Sequence, residues 1–154
     1  MNTHLHPVIG IDLGTTYSAV AAFNTYSEDT EIIQNTQVQD KQETTPSVIG
    51  LHPTTRKVIV GWPAKNNIAI DPENTVIEIK REMGEEFTPE TLRKYKAEHH
   101  YKVGDPVRVN INQDWLSPQE ISAFTLMKMK EIAEAEIGQE ILDAVITVPA
   151  YFTE

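Results

Sequence analysis

Ser117-Pro118-Gln119-Glu120, together with the residues that follow it to Val148, constrains the fold more than any other part of the chain. Serine as N-cap, proline at the first helical position and glutamate three residues after the serine form a capping box. An apolar-rich stretch then runs to Gly138, which predicts a long helix. Next comes Leu142 to Val148, LDAVITV, an almost continuous apolar run of the kind expected for a strand covered on both faces. Such a strand needs a sheet to join. The N-terminal region supplies one: Val8 to Leu13 and Tyr17 to Phe23 are short apolar runs joined by Gly14-Thr15-Thr16, and this reads as a β-hairpin. Thr30 to Gln34 predicts a third strand.

Between these ends the pattern changes. Asn35 to Glu43 is polar and without period, a connecting segment. Beyond it the spacing predicts short strands at Val48 to Leu51 and Lys57 to Val60, and a helix opened by Gly61 and Pro63, running through Asn66 to Ile70 and stopped by Asp71-Pro72. Asn74 caps a further helix over Thr75 to Met83 ended by Gly84. A charged helix follows over Glu90 to His99, then a turn at Gly104-Asp105-Pro106 and a strand at Val107 to Ile111. The expected architecture is mixed α/β: residues 1–38 and 117–154 form a sheet subdomain with its long helix, and 39–116 an inserted, smaller α+β subdomain. Projected at about 100° per residue, the long helix has two apolar arcs, one of Ile121, Phe124, Ile132 and Ala135, the other of Ala123, Leu126, Met127, Ala133 and Ile137. One arc lies on the sheet. The other calls for a second partner, so self-association is expected.

Composition narrows the function. The chain has 154 residues, 40% of them hydrophobic, 23 acidic against 13 basic, and a formal charge of −10. No positive footprint exists for a nucleic-acid backbone or an anionic membrane. Cysteine is absent, which excludes disulfides, thiolate metal sites and cysteine nucleophiles and fits a reducing cytoplasm. No signal peptide or membrane-length apolar run is found, so a soluble cytoplasmic protein is expected.

The chemistry concentrates in IGIDLGTTYSAV, residues 9–20. Gly14 at a hairpin tip lets the backbone approach a bound group, and the amides of Thr15, Thr16 and Tyr17 with the threonine hydroxyls supply donors. An aspartate next to a phosphate repels it unless a divalent cation, best Mg²⁺ with retained waters, lies between them. The other reading of these residues is a structural hairpin whose aspartate caps the turn. A Walker A loop is excluded, because no Gly-Lys-Ser/Thr follows. His4 with His6, and His99 with His100, read as surface histidines lacking a third ligand. Trp62 and Trp115 read as packing anchors, and Glu85 to Lys102 as a solvated helical segment.

IGIDLGTTYSAVAAF resembles the first phosphate hairpin of the actin-like ATPases, specifically of the seventy-kilodalton heat-shock (DnaK-like) chaperones. Thr45-Pro-Ser-Val48, Val60-Gly-x-x-Ala-Lys-Asn66, Asn74-Thr-Val76 with Lys80-Arg81, Met127-Lys-Met-Lys-Glu-Ile-Ala-Glu134 and Ala144-Val-Ile-Thr-Val-Pro-Ala-Tyr-Phe152 agree with that family in order and spacing. About Glu85 to Trp115 departs from its pattern, which puts partner contacts made there in doubt. The resemblance implies an actin-like, ribonuclease H-like fold of which this chain is the first lobe, with ATP or ADP and Mg²⁺ as ligands. It assigns Asp12 to the hydrated Mg²⁺, Gly14, Thr15, Thr16 and Tyr17 to the β- and γ-phosphates, and Lys80 to the attacking water and the developing charge. Arg81 is structural or an ion-pair partner; Pro149 is a relay of nucleotide state or a strand terminator. The family's second phosphate hairpin, adenosine pocket and peptide-binding domain would lie beyond Glu154. The expectation is therefore a stress-response, protein-folding chaperone that hydrolyses ATP as a whole, with client peptides, co-chaperones and nucleotide-exchange factors as partners, and a negligible ATPase in this piece alone. The alternatives are another actin-like enzyme such as a carbohydrate kinase, which shares the Asp-x-Gly-Thr-Thr opening, or a non-enzymatic interaction module.

Overall fold

The computed structural model of the chain describes residues 7–36, 38–83 and 88–148. Strands β1 (Val8–Asp12), β2 (Tyr17–Asn24) and β3 (Asp29–Ile32) come first, followed by β4 (Thr45–Pro46), β5 (Ile49–Leu51), β6 (Val58–Val60) and helix α1 (Trp62–Asn66). Helix α2 (Pro89–Glu98), strands β7 (Val109–Ile111) and β8 (Asp114–Leu116), helix α3 (Pro118–Ile137) and strand β9 (Asp143–Thr147) complete the order. The main sheet runs β3-β2-β1-β9, and β4 pairs with β2. β1 is antiparallel to β2 but parallel to β9, with Ile9 beside Ala144 and Asp12 beside Thr147. A parallel partner needs a crossover, and α3 lies on that return path.

Alternation decides which side of β1 meets α3. Side chains two apart share a face: Ile9 and Ile11 are buried, whereas Val8, Gly10 and Asp12 are exposed. Ile9, Ile11, Val20 and Ile33 pack with Met129, Ile132, Ala133 and Ile141 in one apolar cluster. A second cluster joins Ile49, Leu51, Val76, Ile79, Tyr95, Tyr101, Val109 and Ile111 to Ile121, near the start of α3. The predicted helix and its capping box are present: Ser117 Oγ accepts from the Glu120 amide, and the Glu120 carboxylate accepts from the Ser117 amide. Gly138, at φ 71°, ends it in the left-handed conformation, where only glycine is free of strain.

Several expectations are corrected. Thr75 to Met83 is not an α-helix. Its β-branched Val76 instead exchanges backbone hydrogen bonds with Ile49, Glu78 sits at φ 56°, and only a 3-10 turn forms over Ile79–Glu82; Gly84 lies outside the described residues. The helix after Gly61 stops at Asn66 and continues as turns to Ile70. On α3 the buried stripe falls between the two projected arcs, through Ile121, Ser122, Thr125, Met129, Ile132 and Ala133. Small polar residues thus face inward where the projection favoured Ala135 and Met127, both exposed. β8 had no apolar alternation to announce it; it pairs with β7 through a tight turn in which Asn112 and Gln113 both have positive φ. β9, expected to be covered on both faces, is exposed at every residue. It is the last strand of the sheet, and α3 does not reach across it.

Candidate functional site

The tip of the β1–β2 hairpin gathers most of the polar geometry. A Cβ on Gly14 would stand 1.8 Å from the Tyr17 carbonyl oxygen, so no other residue fits without moving backbone. The Gly14 amide donates to Ser18 Oγ at 3.2 Å. Ser47 closes on the tip from β4: its amide donates to the Thr16 carbonyl at 2.9 Å and its hydroxyl to the Gly14 carbonyl at 2.8 Å. The amides of Thr15 and Thr16, and both threonine hydroxyls, have no partner among the described residues. Donors left over at a turn are where an anion is received.

Asp12 ends β1 on the face that α3 leaves uncovered. The parallel register puts Thr147 beside it, and Thr147 Oγ1 donates to Asp12 Oδ1 at 2.7 Å. Oδ2 has no partner among the described residues. Lys80 arrives from the other cluster. The Val76 pairing with Ile49 fixes the chain, left-handed Glu78 turns it, buried Ile79 anchors the 3-10 turn, and the Lys80 ammonium donates to the Leu13 carbonyl. It thereby lands between Asp12 and Gly14. Arg81 points elsewhere and pairs with Glu78 at 2.6 Å.

One neighbour was given no role from the sequence. Lys65 of α1 donates to the Tyr17 hydroxyl at 2.6 Å, and its ammonium lies 4.8 Å from the ring centroids of both Tyr17 and Trp62. Trp62 is thus a cation–π partner as well as a packing residue, and Trp115 packs over Gly104 while 47% exposed. The hollow bordered by Thr15, Thr16, Tyr17, Ser47 and Lys65 has a volume of about 140 Å³. A whole small-molecule ligand usually needs roughly 300–1,000 Å³, so this hollow, whose walls also include Pro46, Val48, Ile68, Ile77 and Glu78 and are mostly apolar, is too small for a nucleotide. A hollow of about 700 Å³ beside Phe23, Tyr26 and Gln139 is remote from all of these groups.

The remaining candidates separate from the tip. His99 is not an isolated surface histidine: its ring packs, tilted, against Tyr95 and Tyr101 with centroids 4.2 and 4.9 Å away, and its Nδ1 meets the Tyr95 carbonyl. The Tyr95 and Tyr101 hydroxyls lie 2.8 Å apart, and burial pushes both phenols well above the ordinary tyrosine range. Among the described residues no cluster of metal-ligating side chains forms, and no helix is long and apolar enough to cross a membrane. His4, His6 and Pro149 lie outside the described residues.

The sequence model of the family described as Hsp70 protein matches residues 8–154. A ribosome-associated molecular chaperone of Saccharomyces cerevisiae is 47% identical over 156 residues, covering 95% of this chain and 24% of the relative. Its counterpart from Zygosaccharomyces rouxii, also described as a ribosome-associated molecular chaperone, is 46% identical with the same coverage. A heat shock protein of Pyricularia oryzae is 43% identical over 165 residues, covering 100% of this chain and 25% of its own length. The chain therefore spans about a quarter of the relatives it matches.

Proposed function

Because this chain belongs to the Hsp70 family, we propose that it is the N-terminal part of the ATP-binding and ATP-hydrolysing region of a molecular chaperone, and that the hairpin tip with Asp12 and Lys80 is one wall of its phosphate site. The family match over residues 8–154 decides against a carbohydrate kinase. The fold is read as the first lobe of an actin-like, ribonuclease H-like domain, in which 1–38 and 117–154 make the sheet subdomain and 39–116 the insert. One observation carries the assignment: Lys80, 67 residues from Leu13, is brought onto the carbonyl between Asp12 and Gly14. A solvated helix lysine has no reason to be there.

The division of labour follows from the groups. The Thr15 and Thr16 amides and hydroxyls, without partners among the described residues, take phosphate oxygens, with Gly14 allowing close approach. Lys80 offsets negative charge as it builds on the transferring group, the electrostatic role phosphoryl transfer relies on. Asp12 fits a hydrated Mg²⁺: a single carboxylate with one oxygen unengaged suits a cation that keeps most of its waters. When bound, the cation supplies charge neutralisation between that carboxylate and the phosphates. With one wall only, positioning is incomplete, and hydrolysis by this chain alone is negligible. For the whole protein the proposal includes client peptides, co-chaperones and nucleotide-exchange factors as partners, a cytoplasmic location, and no nucleic-acid or membrane ligand. Self-association of this chain would proceed through the exposed apolar β9.

The test is an amide-resonance titration of the chain with MgATP. Thr15, Thr16, Tyr17 and Lys80 should shift together with a dissociation constant on the order of millimolar, and Asp12→Ala should remove the part of the shift that depends on Mg²⁺. Silence at those four residues, or a response confined to the β2–β3 end, would refute the assignment.

A further inference from the structure

We infer that Ser18 and Ser47 are positioning residues for the phosphate wall, acting through a closed ring of hydrogen bonds around Gly14; the inference rests on the reading above. Ser18 is 1% exposed and Ser47 5%, and their hydroxyl oxygens stand 2.9 Å apart. The direction of each bond follows by elimination. Ser47 Oγ gives its hydrogen to the Gly14 carbonyl. A hydroxyl has one hydrogen, so Ser18 Oγ must donate to Ser47 Oγ. Ser18 Oγ in turn accepts from the Gly14 amide, and the ring closes with each hydroxyl donating once and accepting once.

The ring occupies both backbone polar groups of the tip glycine. That has a consequence for the residues that follow it: with Gly14 held at its amide and its carbonyl, and the Thr16 carbonyl held by the Ser47 amide, the Thr15 and Thr16 amides are left without partners among the described residues. A tip free to relax would turn its donors toward its own carbonyls. Ser47 also stands immediately after β4, on the route into the Ile49 cluster, so the ring ties the insert to the hairpin at the point where ligand would be received.

A closed ring makes a prediction that simple packing does not. Removing either hydroxyl opens the ring and takes away the bond the two share, so the effects of Ser18→Ala and Ser47→Ala should not add in the double variant. Amide hydrogen exchange in the ligand-free chain reads the ring itself: Gly14 exchange should accelerate about tenfold in Ser18→Ala, which loses the acceptor, by less in Ser47→Ala, which keeps it, and in the double variant no further than in Ser18→Ala, while Ile11 in the adjacent strand keeps its wild-type rate. The MgATP titration of Thr15 and Thr16 then reads the consequence, with apparent affinity falling about five- to tenfold in each single variant and not further in the double. Unchanged Gly14 exchange, or losses that add, would overturn the ring. Wild-type resonances that ignore MgATP while the exchange effect appears would overturn the phosphate reading, and the positioning role with it. Ile11 exchange accelerated equally with Gly14 would show a general loss of stability and would likewise overturn it.

Discussion

Strands β2 and β9 flank the same strand, β1, with comparably apolar sequences, YSAVAAFN and DAVIT. Yet Ser18 and Val20 of β2 are buried, whereas Ile146 of β9, on the same face of the sheet, is 38% exposed. The difference lies in what covers them. α3 lays Met129 and Ile132 over Ile9, Ile11 and Val20, but its next exposed residue on the β9 side, Met127, is already 56% exposed. A shallow groove of about 230 Å³ remains between Leu126, Ala144 and Ile146. Apolar sequence states a requirement for cover, and only the arrangement of the other elements decides whether the requirement is met.

The sharpest break of this comparison pairs a residue under the helix with one beyond it. Ile132→Ala should cost about 2–5 kcal/mol in chemical denaturation, while Ile146→Ala, on the same face of β9, should cost clearly less; equal losses would mean that β9 is covered after all. Gly14→Ala, at the tip of the covered flank, should cost about 1–3 kcal/mol, because its Cβ meets a backbone oxygen rather than a flexible side chain. It should also abolish the MgATP response at Thr15 and Thr16.

Acid should act away from both flanks. The Asn74 side-chain bond, ahead of the Arg56 guanidinium, holds the Asp71 carboxyl below its ordinary value. A carboxyl with a depressed folded pKa contributes stability above its unfolded pKa, about 3.9, and loses it as pH falls through the lowered folded value. Denaturation midpoints should therefore drop below about pH 4, and Asp71→Asn should flatten that dependence; an unchanged slope would leave the Asn74 bond without energetic effect.

The smallest changes in stability are expected on β9, within about 0.5 kcal/mol. Val145→Lys should leave the fold intact but remove concentration-dependent association in sedimentation velocity, since a charge on an open sheet edge blocks pairing with a second copy. Thr147→Val should also spare the fold while altering the Mg²⁺ dependence of the titration, because it takes away the donor to Asp12.

What was legible in the sequence was what is local. The hairpin, the capping box and Gly138 follow from residues within four positions of one another, and Asp12, Gly14, Thr15 and Thr16 could be named before any contact was known. Lys80 could be named only through a family resemblance: the helix assigned to it is absent, because Val76 finds its partner in Ile49, far back in the chain. Ser47, Lys65 and Thr147 gave no warning, since their bonds span 29, 48 and 135 residues; Ser18 lies only four residues from Gly14, but a serine in a strand is commonplace. The helix projection failed for a related reason. It ranked faces by hydrophobicity, whereas Ser122 and Thr125 are buried by position, with Ser122 donating to the Met83 sulfur.

That contact carries weight for motion. α3 is a rod of 20 residues, about 30 Å at 1.5 Å per residue, gripped near one end by the Ile121 cluster and farther along by the Met129 and Ile132 cluster. Met83 follows directly on the turn bearing Lys80, so a shift of that lysine tugs on the rod close to its first grip. Any tilt so produced is delivered, with leverage, beneath the strand whose end holds Asp12.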